Sequence, residues 1–441
     1  MLTALIGFVV LIALILGRVP IALAMGLVGF FGFAVERGLG FDNFFDFKWR
    51  IPLSMVSSHA VYTAREYGLS VIPLFILMGN LVGRSGLAGE LYKAAYAWLG
   101  HKRGGLAMST VLACGGFSAI CGSSLATAAT MSRVAIGPMR EFRYADSLAS
   151  ASIAAGATLG ILIPPSVILI IYGVFTETSI RELFAAGVFP GLMGILLYLV
   201  AVRFTVWRDP KAGPPGAVTP KLERWKALSG VSGVLVLFIL VMGGIYAGVF
   251  TPTEAAGIGA GGAFLIALYK RCLTMSILMD ILRDTVRTSA MLFGILIGAL
   301  ALSSFVTRTG FPQELGTWLA NMDVSPLWVI AAMMLVYVVL GMLLESLSML
   351  LLTLPVFFPV VQALGLDPVW FGIVVVVVTE ISLITPPVGL NVFVLSATVP
   401  DISTKTIFKG VTPFWAVDII RLVLLILIPS ISLWLPIALY R

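Results

Sequence analysis

Gly160–Gly173 reads GILIPPSVILIIYG and Ser382–Val394 reads SLITPPVGLNVFV. Each is a long apolar segment with a Pro-Pro pair in its middle. Proline has no N–H to donate and its ring clashes with the preceding turn, so each pair breaks a helix. The residues before the pairs, Ile163 and Thr385, are pushed out of the helical region as well. A break inside an apolar span frees backbone carbonyl and N–H groups that lipid cannot satisfy, so they must face protein or a wet cavity. Two such breaks, 222 residues apart, point to a transporter site near the membrane midplane.

Composition agrees. The chain has 441 residues, 59% hydrophobic and 11% charged, with a mean hydropathy of +1.06; soluble domains carry about 25% charged residues. With about 20 residues needed per helical span, the expectation is an all-α polytopic membrane protein of about ten or more spans. The net charge of +7 is read as basic cytoplasmic loops, not as a nucleic-acid surface. Cys114, Cys121 and Cys272 show no metal spacing and no disulfide framework. Met1–Gly17 has no basic leading segment and is expected to be a first span instead of a cleaved signal.

The landmarks of the first part recur in the second. Arg84-Ser85-Gly86 returns as Arg308-Thr309-Gly310 and Glu90-Leu91 as Glu314-Leu315, both 224 residues on; Leu183-Phe184 and Gly187–Pro190 return as Ile407-Phe408 and Gly410–Pro413. The chain is therefore expected to hold two halves, residues 1–202 and 227–441, joined by a basic, Pro-rich cytoplasmic linker, residues 203–226. Loop charge suggests that the halves are inverted: Arg84–Arg103 carries +3 and Arg308–Asp323 −1, while Arg133–Asp146 carries +1 and Pro355–Pro368 −1. Inverted repeats are common in secondary transporters. Expected re-entrant hairpins lie at about 51–83, with Gly68–Pro73 near the tip, and at about 274–307, with Arg287, Thr288 and Ser289 near the tip. Expected broken helices lie at 104–132, 147–176, 324–366 and 381–400, and a final span at Leu422–Tyr440. Glu36–Arg50 reads as an aromatic-rich loop and Arg84–Arg103 as an amphipathic interface helix.

Several residues carry candidate chemistry. Ser118, Gly122, Ser123 and Ser124 form a polar kink whose carbonyls and hydroxyls suit a hard cation such as Na⁺. The second half places Glu345, Ser346 and Ser348 at a matching break. A carboxylate at bilayer depth costs roughly 2.5–3.5 kcal/mol on insertion scales, which argues for a role. Pro164, Pro165 and Ser166, and Pro386, Pro387 and Asn391, begin new half-helices whose N-terminal N–H groups can meet an anionic substrate; Thr288 and Ser289 are candidates for the same task. Glu380, five residues ahead of the second break, is ambiguous. Thr251-Pro252-Thr253-Glu254 reads as a capping box. An intramembrane enzyme would need a nucleophile–base pair such as Ser123 with His59; two histidines and no nucleophile-elbow spacing argue against it. No nucleotide-binding loop, haem motif or metal cluster appears, so no cofactor beyond a coupling ion is expected.

With these motifs in hand, the chain resembles the large membrane subunit of a TRAP transporter, the tripartite ATP-independent periplasmic type (the DctM-like family). The resemblance rests on IPLFILMGNLV at Ile72–Val82, GFSAICGSSLATAATMSR at Gly116–Arg133, TLGILIPPSVILIIYG at Thr158–Gly173, GVFTPTEAA at Gly248–Ala256 and ITPPVGLNVFV at Ile384–Val394. It implies an elevator-type carrier, in a bacterial inner membrane, for Na⁺-coupled import of an organic acid. It also implies two partners, a small four-helix membrane subunit and a soluble periplasmic binding protein. Many relatives carry an Asp after the serines where this chain has Thr127, and Ser where it has Cys121. A self-sufficient carboxylate or ion carrier of the same architecture, needing no binding protein, is the other reading.

Overall fold

The computed structural model describes residues 2–38, 49–321 and 325–440; most of the Glu36–Arg50 loop lies outside them. The described residues fold into helices α1 (Leu2–Leu16), α2 (Ile21–Glu36), α3 (Arg50–Arg65), α4 (Val71–Arg84), α5 (Leu87–Leu99), α6 (Gly105–Cys121), α7 (Ser124–Glu141), α8 (Asp146–Gly156), α9 (Val167–Thr176) and α10 (Ile180–Arg208). After a connection come α11 (Lys221–Tyr246), α12 (Pro252–Tyr269), α13 (Met275–Arg308), α14 (Phe311–Asn321), α15 (Pro326–Gly341), α16 (Ser346–Ala363), α17 (Pro368–Ser382), α18 (Leu390–Thr398), α19 (Thr404–Leu427) and α20 (Ser430–Tyr440). Among the described residues six helices are long and apolar enough to cross a membrane, and several apolar helices are shorter. Many are short because polar or Pro-Pro breaks divide the apolar segments. The expected capping box forms: the Thr251 N–H donates to Glu254 Oε2 at 2.8 Å and the Glu254 N–H to Thr251 Oγ1 at 3.3 Å.

The two segments expected to be hairpins are rods. Met275–Arg308 is one continuous helix of 34 residues, about 51 Å at 1.5 Å per residue, with no tip at Arg287–Ser289. Its polar residues lie on different faces, with Arg287 exposed and Ser289 buried, so they mark sides of a helix and not a turn. In the other segment α3 and α4 meet at a 3-10 turn, Tyr67–Ser70, but do not fold back. His59 on α3 hydrogen-bonds Ser304 of α13 at 2.8 Å, and Asn80 on α4 donates to Thr285 of α13 at 2.9 Å. Moving from 59 to 80 along one rod moves from 304 to 285 along the other. The pair is a bent rod antiparallel to α13, closed at its end by Arg84 and Asp284 at 3.5 Å.

Two of the segments read as broken helices fold back on themselves. Gly104, at the head of α6, donates its N–H to Gly213 O, and Ala145, just past α7, donates to Ala212 O. Both ends of α6–α7 therefore meet at one place, and the fold-back falls at Gly122-Ser123. In α15–α16, the Thr353 hydroxyl donates to Tyr337 OH at 2.7 Å. Those residues stand eight before and eight after Glu345, so the fold-back falls there. The two expected Pro-Pro breaks form as read, between the 3-10 turn Ala157–Ile161 and α9, and between α17 and α18; both Pro-Pro bonds are cis. The final segment differs, since α19 and α20 are separated at Ile428-Pro429 and α19 already covers Leu422–Leu427.

Small residues let α2 and α13 pack closely. A side chain at Gly29 of α2 would collide with the Ala301–Leu302 backbone of α13, and one at Gly298 with Ala22 O. Without a hydrophobic drive between helices in lipid, such close backbone approach supplies packing energy. Gly29→Leu is therefore expected to destabilise the chain by about 1–3 kcal/mol, read as a lower unfolding temperature of the detergent-purified protein, whereas Gly257→Leu, with open space around it, leaves that temperature in place.

Candidate functional site

Both fold-backs are built to present polar backbone. Gly122 takes φ 65°, a conformation that glycine adopts without the cost other residues bear, and donates its N–H to Ser118 O at 2.8 Å. Ser123 then caps α7: its hydroxyl accepts from Ala126 N at 3.3 Å, and its carbonyl accepts from the Thr127 hydroxyl at 2.8 Å. At the second fold-back Glu345 stands at the cap position of α16, and the Ser348 hydroxyl donates to Glu345 Oε2 at 3.3 Å. Ser124, Ser346 and Ser348 are buried beside them.

The two fold-backs face one cavity of about 570 Å³. The first contributes Cys121, Gly122, Ser123, Ser124, Leu125 and Ala126, and the second contributes Glu345, Ser346, Leu347 and Ser348. Ile161, Val167 and Ile168 flank the first Pro-Pro break, and Leu383 stands before the second. Thr288 and Met291 of α13, Asn80 of α4 and Pro20 ahead of α2 close the remaining sides. Residues more than 200 positions apart thus meet around one space, with carbonyls, hydroxyls and one carboxylate among mostly apolar walls. Such a cavity suits a small ligand held by a few polar groups.

The expected site residues separate into two sets. Gly122, Ser123, Ser124, Thr288, Glu345, Ser346 and Ser348 line the cavity. Ser118 does not: its hydroxyl donates to Cys114 O inside α6, and its side chain packs on Gly160, where no other residue would fit. Ser289 is buried on another face of α13, its hydroxyl without a partner among the described residues. Ser166 caps α9, accepting from Leu169 N at 3.3 Å and donating to Ile161 O. Asn391 braces the two broken helices, donating from Nδ2 to Ala154 O at 3.0 Å. Pro164 and Pro165 are buried whereas Pro386 and Pro387 are exposed, so the two breaks do not present themselves alike. Asn80 and Cys121 are lining residues that sequence reasoning did not select. His59 pairs with Ser304 and does not line the cavity with Ser123.

The family profile described as "Tripartite ATP-independent periplasmic transporter, DctM component" matches residues 8–431. The chain belongs to the DctM family. It is 35% identical over 453 residues to the C4-dicarboxylate TRAP transporter large permease protein DctM of Rhodobacter capsulatus, covering 98% of this chain and 99% of that one. It is 37% identical over 380 residues to the protein of the same description from Pseudomonas aeruginosa, covering 85% and 87%. It is 34% identical over 372 residues to the sialic acid TRAP transporter large permease protein SiaM of Vibrio cholerae, covering 84% and 86%. In fold it is similar to the Alcanivorax borkumensis YdaH transporter, with a TM-score of 0.64 over 88% of this chain and 90% of that one at 15% identity. As a DctM-family chain it is a large permease subunit of a membrane transporter, and not an enzyme.

The placement of the serines is open to a direct check. In a background without Cys114, Cys121 and Cys272, Ser123→Cys is expected to react with a small water-soluble methanethiosulfonate. Ser118→Cys is expected to stay unlabelled under the same conditions until the protein is denatured.

Proposed function

We propose that this subunit imports an organic acid across a bacterial inner membrane, coupled to Na⁺, and receives that acid from a soluble periplasmic binding protein. The observation that carries the reading is the single cavity on which both fold-backs and the flanks of both Pro-Pro breaks converge. In this reading α6–α7 and α15–α16 are the re-entrant hairpins, and the two halves are inverted repeats of an elevator-type carrier. The hairpins and broken helices form the moving part, carried against a scaffold built around α2, α4, α12 and α13. A small four-helix membrane subunit is the second partner. In its support, the isethionate TRAP transporter permease protein DctMQ of Oleidesulfovibrio alaskensis matches over 94% of this chain but over only 64% of its own length, leaving room there for a further segment.

The cation has oxygen ligands at each fold-back. Gly122, Ser123 and Ser124 offer carbonyls and hydroxyls, as do Ser346 and Ser348, and the Glu345 carboxylate supplies the negative charge that a hard cation needs in a space of low dielectric. Ser118 shapes the first site from behind through its contact with Gly160. The acid's carboxylate then meets the N-terminus of α9, following Pro164, Pro165 and Ser166, and that of α18, following Pro386, Pro387 and Gly389. The N–H groups of a first helical turn lack helical partners and favour an anion. Thr288 adds a hydroxyl from the lining; Ser289 and Asn391 hold the walls in place. Relatives named for C4-dicarboxylate, sialic acid and ectoine support a reading in which one architecture serves several small ligands and the binding protein sets part of the selectivity.

Uptake into proteoliposomes holding this subunit and its small membrane partner tests the proposal. Transport is expected only with the cognate binding protein outside and an inward Na⁺ gradient. Transport with no binding protein would establish the self-sufficient carrier instead. Glu345→Gln is expected to raise the half-saturating Na⁺ concentration by about tenfold or more, a loss of ~1.4 kcal/mol. An unchanged Na⁺ dependence in that variant would remove the second fold-back from the cation site.

A further inference from the structure

Three charged side chains lie outside the cavity and are sealed completely. Glu380 on α17 and Asp418 and Arg421 on α19 are 0% exposed, and no other charged side chain is buried among the described residues. Arg421 donates from Nη2 to Glu380 Oε2, and the same nitrogen lies 3.0 Å from Asp418 Oδ1. Tyr198 on α10 donates its hydroxyl to Asp418 Oδ2, and that hydroxyl lies 3.1 Å from Thr158 Oγ1 in the 3-10 turn before the first break. Around this core the other helices packed on α17 and α19, namely α8, α9, α15, α16, α18 and α20, bring no buried charge. Among the described residues, Glu380 Oε1 and Asp418 Oδ1 have no hydrogen-bond partner, nor do Arg421 Nε and Nη1.

The position is central. Glu380 and Thr158 stand 222 residues apart, the spacing of the two Pro-Pro pairs, and Asp418 and Gly194 stand 224 apart, the spacing of the Arg84 and Arg308 motifs. Gly194 is where a side chain would collide with the Arg421 guanidinium. The cluster thus sits where corresponding elements of the two halves of the chain meet, and it ties the approaches to both breaks to α10 and α19.

The charges do not balance. Two ionised carboxylates against one guanidinium leave one negative charge sealed from bulk solvent. A lone buried charge is so costly that the group neutralises, and two carboxyl groups in one site resist double ionisation. We propose that the Glu380–Asp418 pair binds one proton, carried by one or the other carboxyl group, which makes the cluster with Arg421 electrically neutral and fixes both broken helices to one frame. The proton comes from solvent during folding and returns to it on unfolding or when the pair ionises; no other bond changes. This site is independent of the cation and substrate sites above, and its test needs neither.

Thermal unfolding of the detergent-purified full chain, followed from neutral to alkaline pH, tests it with the wild type, Glu380→Gln and Asp418→Asn. The folded wild type holds a proton that the unfolded chain has released, so its stability falls as pH rises until the folded pair has lost that proton as well. In each variant the one remaining carboxylate balances Arg421 with no proton to lose. The expected result is an alkaline drop in unfolding temperature clearly larger for the wild type than for either variant. Equal drops in all three would overturn the proposal. Should both variants fail to fold, infrared spectra of the wild type still decide: a protonated carboxyl C=O band at neutral pH supports the bound proton, and its absence overturns it.

Discussion

A helix broken inside a membrane must hand its freed backbone groups to something other than lipid. That requirement organises this chain. At the first Pro-Pro break Ser166 takes up one freed N–H; at the second, the Asn391 N–H donates to Leu383 O at 3.1 Å. What remains unsatisfied at the breaks and at the two fold-backs has to be gathered where water, ions or a ligand can reach it, and the shared cavity does that. The same constraint explains the tight packing elsewhere. Once several segments are interrupted, stability falls to close contacts such as α2 on α13 and to buried polar braces such as Asn391 on Ala154.

The Pro-Pro breaks were legible because their cause is local: proline forbids the helix wherever it stands. The polar kinks at Ser118–Ser124 and Glu345–Ser348 were legible as interruptions for a similar reason. Whether the chain bends or reverses at an interruption is not a local property, and there the sequence reading failed. It took Arg287-Thr288-Ser289 as a tip because three polar residues sat in an apolar run. In a long helix those residues face different ways, Arg287 outward, Thr288 to the cavity and Ser289 inward, and only the packing reveals it. Conversely, Gly122-Ser123 reverses the chain because the linker ties Gly104 and Ala145 together at Gly213 and Ala212, contacts made across more than sixty residues of sequence.

The site was legible to the same depth. Seven of the selected residues line the cavity, and they are those closest to the fold-backs or, for Thr288, on the face of α13 turned to it. Ser118 was selected for its neighbours, but one turn of helix earlier its hydroxyl already bonds its own backbone. The Glu380–Arg421–Asp418 cluster was almost invisible. Asp418 and Arg421, three residues apart between apolar runs, were its only signal, and their pairing with Glu380 depends on how α17 and α19 cross. Tyr198 and Thr158 gave no signal at all.

Central to the proposed transport is that the two fold-backs and the two breaks form one site. Electron cryo-microscopy of the purified subunit with its membrane partner, in Na⁺ and in a Na⁺-free buffer of equal ionic strength, tests this most directly. The expected result is Na⁺-dependent density bounded by Gly122–Ser124 at one fold-back and Glu345–Ser348 at the other, both opening on the same cavity. Na⁺-dependent density elsewhere, with these two fold-backs unchanged between the buffers, would contradict it.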